Sequence, residues 1–254
     1  MARDRGTRGG RMVERGGGSS LATFFVDRTP TSGAPATLSE AAAKHARVRR
    51  LDVGDEVRLT DGQGTLAIGT LTRLDHRTGE VAVASCERVP RPAPLALLVP
   101  VSDRDRMLWL AEKAAELAVT DWRPVLYVRS RSVSPRGEGE AFARKVRARM
   151  IGALEQSGGA WLPAIHNEAS LGEAMAACAE ARGFVLDVKG APLPSLAPFD
   201  ATAIVVGPEG GLEAEEFALL EARGWRAASL GSTTLRFETA GIAAAAIVRA
   251  TQGP

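Results

Sequence analysis

The feature that most limits how this chain can fold is an alternation of apolar runs and helical patterns that begins at Leu95. Leu95–Val101 is a continuous apolar run, the mark of a strand buried on both faces. Asp103–Val119 then has helical spacing, with Met107, Leu110, Ala111, Ala114, Leu117 and Ala118 on one side. Further along, Val125–Val128, Phe184–Val188, Ala201–Val206 and Arg226–Leu230 read as strands. Glu140–Ser157, Leu171–Arg182, Glu213–Ala222 and Glu238–Ala250 read as helices between or after them. This order implies an α/β domain with a mainly parallel sheet and helices on both faces. Ligands on such sheets bind at the carboxyl ends of the strands.

Upstream the texture differs. Thr23–Val26, Val57–Leu59, Thr65–Leu71 and Glu80–Ala84 are short strand-like runs separated by turn residues such as Asp61-Gly62 and Thr78-Gly79. They predict a small β barrel or sandwich over residues 21–90. Ser39–Val48 is expected to be a helix capped by Ser39. The run His45-Ala46-Arg47-Val48-Arg49-Arg50 is either a solvated face or a grip on a phosphate backbone. Pro90, Pro92 and Pro94 form a stiff connector, and the second domain is placed at residues 91–254. Residues 1–20, with five arginines and six glycines, are expected to be a disordered tail, a dispensable extension or an RNA-contacting arm.

Composition narrows the function. Hydrophobic residues make up 45% of 254, an ordinary globular share, so bulk disorder is not expected. No apolar stretch approaches the roughly 20 residues that span a bilayer, and no apolar segment follows the basic start as a leader would require. Two cysteines, Cys86 and Cys178, without CxxC spacing, argue against a disulfide scaffold or zinc site and fit a cytoplasmic location. The net charge is only +2, but 28 of the 32 basic residues are arginine. Clusters at His45–Arg50 and Arg144–Arg149 suit a nucleic-acid partner better than that average suggests.

Two glycine-bearing turns fall at strand ends. One is Val206-Gly207-Pro208-Glu209-Gly210-Gly211; the other is Ser229-Leu230-Gly231, with Leu235-Arg236-Phe237-Glu238-Thr239-Ala240 a few residues on. Glycine lets a backbone approach a ligand closely. The chain has no GxxxxGK[ST], no GxGxxG after its first α/β strand and no GxSxG elbow.

Together GPEGGL (Gly207–Leu212), SLG (Ser229–Gly231) and LRFETA (Leu235–Ala240) resemble the C-terminal signatures of the SPOUT methyltransferases. Within these the chain is similar to the RsmE-type 16S ribosomal RNA uridine N3-methyltransferases. Asp105-Arg106-Met107 with Lys113–Leu117, Glu155-Gln156-Ser157-Gly158, and His45, Val48, Arg50 and Val53-Gly54-Asp55 carry the rest of the likeness. It covers roughly Phe24 to Ala250. It departs at Ala118, for a usual glycine, at Gly159, for arginine, at Arg49, for leucine, and at Phe237, a bulky residue in a variable slot.

The resemblance implies a trefoil knot in the C-terminal part of the α/β domain, a PUA-like β barrel before it, and a homodimer. It implies S-adenosylmethionine as methyl donor, with no metal, and 16S ribosomal RNA of the small subunit as partner. The donor would be held by Gly207, Pro208, Glu209, Gly210, Gly211, Leu230, Gly231, Leu235 and Thr239. Arg236 is the candidate to stabilise a uracil anion. Glu209 and Glu238 are candidates for a base or ribose contact, or are a turn cap and a helix N-terminal carboxylate. His45, Arg47, Arg49, Arg50, Gln156 and Ser157 are the candidate RNA contacts. Lys113 and Glu116 fit a surface pair. Another SPOUT specificity, such as ribose 2′-O methylation of transfer RNA, and a non-catalytic RNA-binding assembly module remain alternatives.

Overall fold

In a computed structural model, the structure describes residues 21–130, 139–197 and 200–252. The Gly/Arg tail expected over residues 1–20 lies outside them.

The first sheet joins β1 (Thr23–Phe25), β2 (Pro35–Leu38), β3 (Glu56–Thr60), β4 (Thr65–Leu74) and β5 (Gly79–Arg88) in the order β1-β3-β4-β5-β2. It curls around Phe24, Leu38, Val57, Leu59, Leu71 and Val81, all fully buried. Its ends, β1 and β2, do not pair with each other among the described residues, so the expected barrel is a curled sheet. Helix α1 (Glu40–Val48) packs on it through Ala42 and Ala46. Ser39 caps α1 as anticipated, accepting the Ala42 N–H at 3.3 Å. Alternation in β4 and β5 follows the pleat, with apolar Ala67, Leu71, Val81 and Val83 turned inward.

The second sheet is parallel throughout. Its order is β12 (Arg226–Ser229), β10 (Arg182–Pro192), β11 (Thr202–Val205), β6 (Leu95–Pro100), β7 (Asp121–Leu126) and β8 (Ala164–Ile165), with β9 (Ala169–Ser170) also on β7. In β6, Leu95, Leu97 and Val99 face one core while Ala96 and Leu98 face the other. The first core is filled from α2 (Arg104–Glu116), α3 (Gly139–Ser157) and α6 (Phe237–Gln252). The second is filled from α4 (Leu171–Ala176) and α5 (Ala214–Ala222). Helices therefore cover both faces, as the alternation of the sequence required.

Two boundaries moved. The helix expected over Leu171–Arg182 ends at Ala176, because turns at Ala177–Ala181 are needed before Arg182 enters β10 opposite Thr202. The strand expected at Val125–Val128 is instead Asp121–Leu126, set by pairing of Ala96 with Asp121. Strand β2 and the two-residue strands β8 and β9 carry no periodic signal of their own.

The end of α2 shows how the last helix is fastened. The Val119 N–H donates to Ala114 C=O at 2.9 Å and the Ala118 N–H to Ala115 C=O at 3.1 Å, a Schellman closure. It places Ala118 at φ 51, the left-handed region where glycine is favoured. The exposed carbonyls of this helix end are taken by Arg249 of α6, which donates to Leu117 and Ala118 C=O, and also to Ala93 C=O and Gln252 Oε1. Burial pushes the Arg249 guanidinium down to about 10, so it stays charged at neutral pH. Higher on the same contact, a Cβ on Gly241 would lie 3.0 Å from Leu110, so glycine lets α6 lie close to α2. Ala118→Gly should relieve the backbone strain and raise stability by about 0.5–1 kcal/mol. Chemical denaturation of the two proteins measures this directly.

Candidate active site

The loops that follow β11 and β12 open at one edge of the parallel sheet, where with Leu186–Val188 of β10 they enclose a cleft of about 550 Å³. The volume is in the range of small-molecule sites. Gly207, Pro208, Glu209 and Gly211 come from the turn after β11; Leu230 and Gly231 follow β12; Leu235 and Arg236 precede α6. The three sequence motifs thus meet in space. Gly231 adopts φ 139, and a Cβ there would meet nothing within 4 Å, so the turn leaves open room beside the backbone. Its N–H donates to the neighbouring Ser229 hydroxyl oxygen at 3.2 Å.

Two of the expected donor contacts, Gly210 and Thr239, stand apart from this lining, as does the candidate base Glu238. Gly210 packs instead beside Arg129, whose guanidinium donates to the Gly210 carbonyl. On the first turn of α6, Glu238 is buried and Thr239 exposed, and neither lines the cleft. Phe237 is buried in the first core, which accounts for its bulk in a slot that sequence alone leaves variable. Sequence reasoning missed Leu186, Asp187 and Val188 of β10 and Thr233 and Thr234, all of which line the cleft. An acidic residue near the carboxyl end of a buried parallel strand was the available signal for Asp187.

The charges around the cleft are unevenly committed. Arg236 is exposed in the lining and forms no ion pair among the described residues. Arg106, on the first turn of α2, pairs with Glu209 and lies 4.0 Å from Glu238 Oε1 through its Nε. Glu238 is almost fully buried, and its Oε2 has no hydrogen-bond partner among the described residues. Apolar Leu186, Val206, Leu212, Phe217, Leu230 and Leu235 line the same cleft. Such a mixture fits the adenosine and sulfonium portions of S-adenosylmethionine, which offer a flat apolar ring, ribose hydroxyls and a cation.

The expected RNA contacts divide into two groups. His45 lies 3.4 Å from Glu155 Oε2 and edge-on to Phe24 with ring centroids 5.7 Å apart. Glu155 also accepts the Phe25 N–H at 2.9 Å. The His45 and EQSG signatures therefore meet at the seam between the two sheets. Arg47 donates to the Asp75 carbonyl, whereas Arg49 and Arg50 are exposed at the end of α1. Arg50 takes φ 59 in a second Schellman closure, with Arg50 N–H on Arg47 C=O and Leu51 N–H on Ala46 C=O. Gln156 is exposed beside Lys113 and Glu116 in a groove between α2 and α3. Lys113 bonds Glu116 at 2.7 Å, the surface pair the spacing suggested. Ser157 is the last residue of α3 and donates to Leu154 C=O. Gly158 follows at φ 71 and stops the helix. At Gly159, where arginine is usual, a Cβ would lie 2.7 Å from Leu154 Cδ1, so Leu154 occupies the space beside it.

The seam is extensive. Gly64 N–H donates to Ala160 C=O and Leu162 N–H to Gly62 C=O, both at 2.8 Å. The Trp161 indole N–H reaches the connector carbonyls of Val89 and Pro90. Beyond this seam lies a larger cleft of about 1070 Å³, lined by Phe25, Asp61 and Gln63 on one side and Arg144, Arg147 and His166 on the other. None of the motifs at Gly207–Leu212, Ser229–Gly231 and Leu235–Ala240 reaches it. Among the described residues no group of His, Cys, Asp or Glu is clustered to hold a metal ion, and no helix is long and apolar enough to cross a membrane.

Comparison with known proteins places this geometry. Residues 89–249 match the RNA methyltransferase domain family, and residues 38–83 match the RNA methyltransferase PUA domain family. The chain is 30% identical over 236 residues to the ribosomal RNA small subunit methyltransferase E of Mycobacterium bovis, covering 85% of this chain and 87% of that protein. It superposes with a TM-score of 0.81 and 26% identity on a methyltransferase of Legionella pneumophila in complex with SAM, covering 91% of this chain and 98% of that one. The ribosomal RNA small subunit methyltransferase E of Neisseria gonorrhoeae, bound to S-adenosyl methionine, gives 0.77 at 27% identity, over 89% and 95% of the two chains.

Glu155→Ala removes the acceptor shared by Phe25 and His45. It should cost about 1–3 kcal/mol of stability and speed proteolytic cutting at the Val89–Pro94 connector. Limited proteolysis with a thermal melt tests this; an unchanged cutting rate and melt would exclude the seam role of Glu155.

Proposed function

The chain belongs to the RNA methyltransferase family that joins a PUA domain to a methyltransferase domain, and from that premise we propose that it methylates N3 of a uridine in 16S ribosomal RNA. The donor is S-adenosylmethionine, held in the cleft at the ends of β10, β11 and β12. The observation that carries this reading is the convergence of Gly207, Pro208, Glu209 and Gly211 with Leu230-Gly231 and Leu235-Arg236 on one cleft with an uncommitted guanidinium in its wall.

S-adenosylmethionine supplies a methyl group already made electrophilic by its sulfonium. The protein's contribution is then to orient the reactants and to stabilise charge on the nucleophile. The backbone of Gly207, Gly211 and Gly231 leaves room for close approach, and the apolar side chains flank the adenine. Asp187, which pairs with no cation among the described residues, is placed to accept from ribose hydroxyls. Uracil N3 carries an imide proton that must leave before or during transfer. Arg236 stabilises the negative charge that its loss leaves on the uracil oxygens, and the proton passes to solvent. Glu209 and Glu238 are both turned toward Arg106, which favours pairing over a role as base.

Arg49 and Arg50 at the end of α1 are assigned to phosphate contacts, with Arg47 supporting them from its bond to Asp75. Residues 21–90 then act as the RNA-holding domain and residues 91–254 as the methyltransferase domain. A trefoil knot in the C-terminal segment is part of the same proposal, supported by the return of α6 from the sheet edge at β12 to pack on β6 and α2. Trp109 of α2 and Ile247 of α6 are large apolar residues left exposed on helices that touch each other. They support a homodimer; a cytoplasmic location and the small subunit as partner belong to the same proposal. A match over 85% of this chain and 87% of a relative named for the small subunit favours this specificity over transfer RNA ribose methylation.

Methyl transfer to 16S RNA from a strain lacking this modification, followed by mass mapping, tests the function. A methyl group on a uridine base is expected; one on a ribose, or none, would contradict it. In the same assay Arg236→Ala should lower kcat by about a hundredfold with donor affinity kept. Replacing Arg49 and Arg50 with alanine should weaken RNA binding and flatten its salt slope by about 0.7–0.9 per lost phosphate contact. Donor binding should be unchanged in that variant.

A further inference from the structure

Two arginines stand at the donor cleft in opposite circumstances. Arg236 lines it without an ion-pair partner among the described residues, while Arg106 approaches from α2 and is paired. Glu209 lines the same cleft as Arg236, and its side chain is half exposed. An unpaired carboxylate and an unpaired guanidinium sharing a half-closed cleft attract each other more strongly than they would in open water. Something must keep them apart if Arg236 is to meet a substrate.

We propose that Arg106 is a positioning residue that holds the Glu209 carboxylate away from Arg236, leaving the Arg236 guanidinium for the RNA substrate. This rests on the role given to Arg236 above. Two observations support it beyond the ion pair itself. Asp103 caps α2 and accepts the backbone N–H of Arg106 at 3.0 Å, which fixes the base of the arginine on the first helical turn. Glu238, buried with one oxygen unpartnered, lies on the far side of the guanidinium at 4.0 Å. A buried carboxylate needs a nearby compensating charge, and Arg106 is the cation that the structure puts beside it. The guanidinium is thus held from both ends, by a turn that lines the cleft and by the helix that follows Arg236. A flexible lysine would not span both carboxylates in this way.

The account differs sharply from one in which Arg106 only braces two loops. Steady-state kinetics with S-adenosylmethionine and 16S RNA should show kcat reduced by roughly tenfold or more in Arg106→Gln, as for loss of one preorganised electrostatic group. The KM for the donor should change little. In the double variant Arg106→Gln/Glu209→Gln the capturing carboxylate is gone, so kcat should return to that of Glu209→Gln alone, a strong coupling of two contacting residues. A double variant as slow as Arg106→Gln, or slower, overturns the proposal, because bracing cannot be restored by deleting a second contact. Glutamine keeps the length of the stem; Arg106→Ala, paired in the same way with Glu209→Gln, serves if the glutamine variant melts early.

A second readout does not depend on turnover. In a crystal structure of the Arg106 variant a Glu209 oxygen should lie within about 4 Å of an Arg236 nitrogen, the usual limit of an ion pair. Arg236 still without a carboxylate neighbour would refute the proposal. If the unaltered protein transfers no methyl group, the functional reading fails, and the crystal structure still decides whether Arg106 keeps the two charges apart.

Discussion

The central parallel pair, β6 beside β11, is the constraint from which the rest of the molecule follows. Both strands are covered on both faces, so their side chains are spent on two apolar cores and can hold no chemistry. Polar groups are therefore confined to strand ends, and parallel pairing brings the carboxyl ends to one edge. The turns after β11 and β12 open together there beside Leu186–Val188 of β10, which is why motifs separated by tens of residues enclose one cleft. The same arrangement requires the last helix to come back over β6. Arg249 fixes it there by closing the carbonyl end of α2 and reaching the connector at Ala93.

Much of this order was legible because it depends on local pattern. Continuous apolar runs identified β6 and β11, helical spacing identified α2 and α3, and Ser39 marked the start of α1. Leu171–Arg182 misled because its alanines favour a helix, whereas the partner strand at Thr202 requires Arg182 to be extended. Local propensity yields to tertiary pairing in such cases. Strands of two residues, such as β8 and β9, are too short for any period to show.

The site was legible to the extent that it is built from turns. Gly207, Gly211, Leu230, Gly231, Leu235 and Arg236 line the cleft as the motifs suggested. What the sequence did not disclose were partnerships across long separations. Arg106 meets Glu209 from 103 residues away, and Glu155 meets Phe25 from 130 residues away. Neither pair has a periodic or spacing signature. The second changes how a motif is understood: His45, with the look of an RNA contact in a basic run, faces Glu155 at the seam. Arg49 and Arg50, two turns of phrase in the same sequence motif, remain on the open surface. One basic run thus serves both the joint between the sheets and the surface beside it.

The central claim is that the methyl donor occupies the cleft at the ends of β10, β11 and β12. A crystal structure grown with S-adenosylmethionine measures this most directly. The account predicts the donor in that cleft, touching the backbone of Gly207–Gly211 and of Leu230-Gly231, with Arg236 still open toward solvent. A donor bound instead in the larger cleft between the two sheets, or no bound donor at saturating concentration, would contradict it.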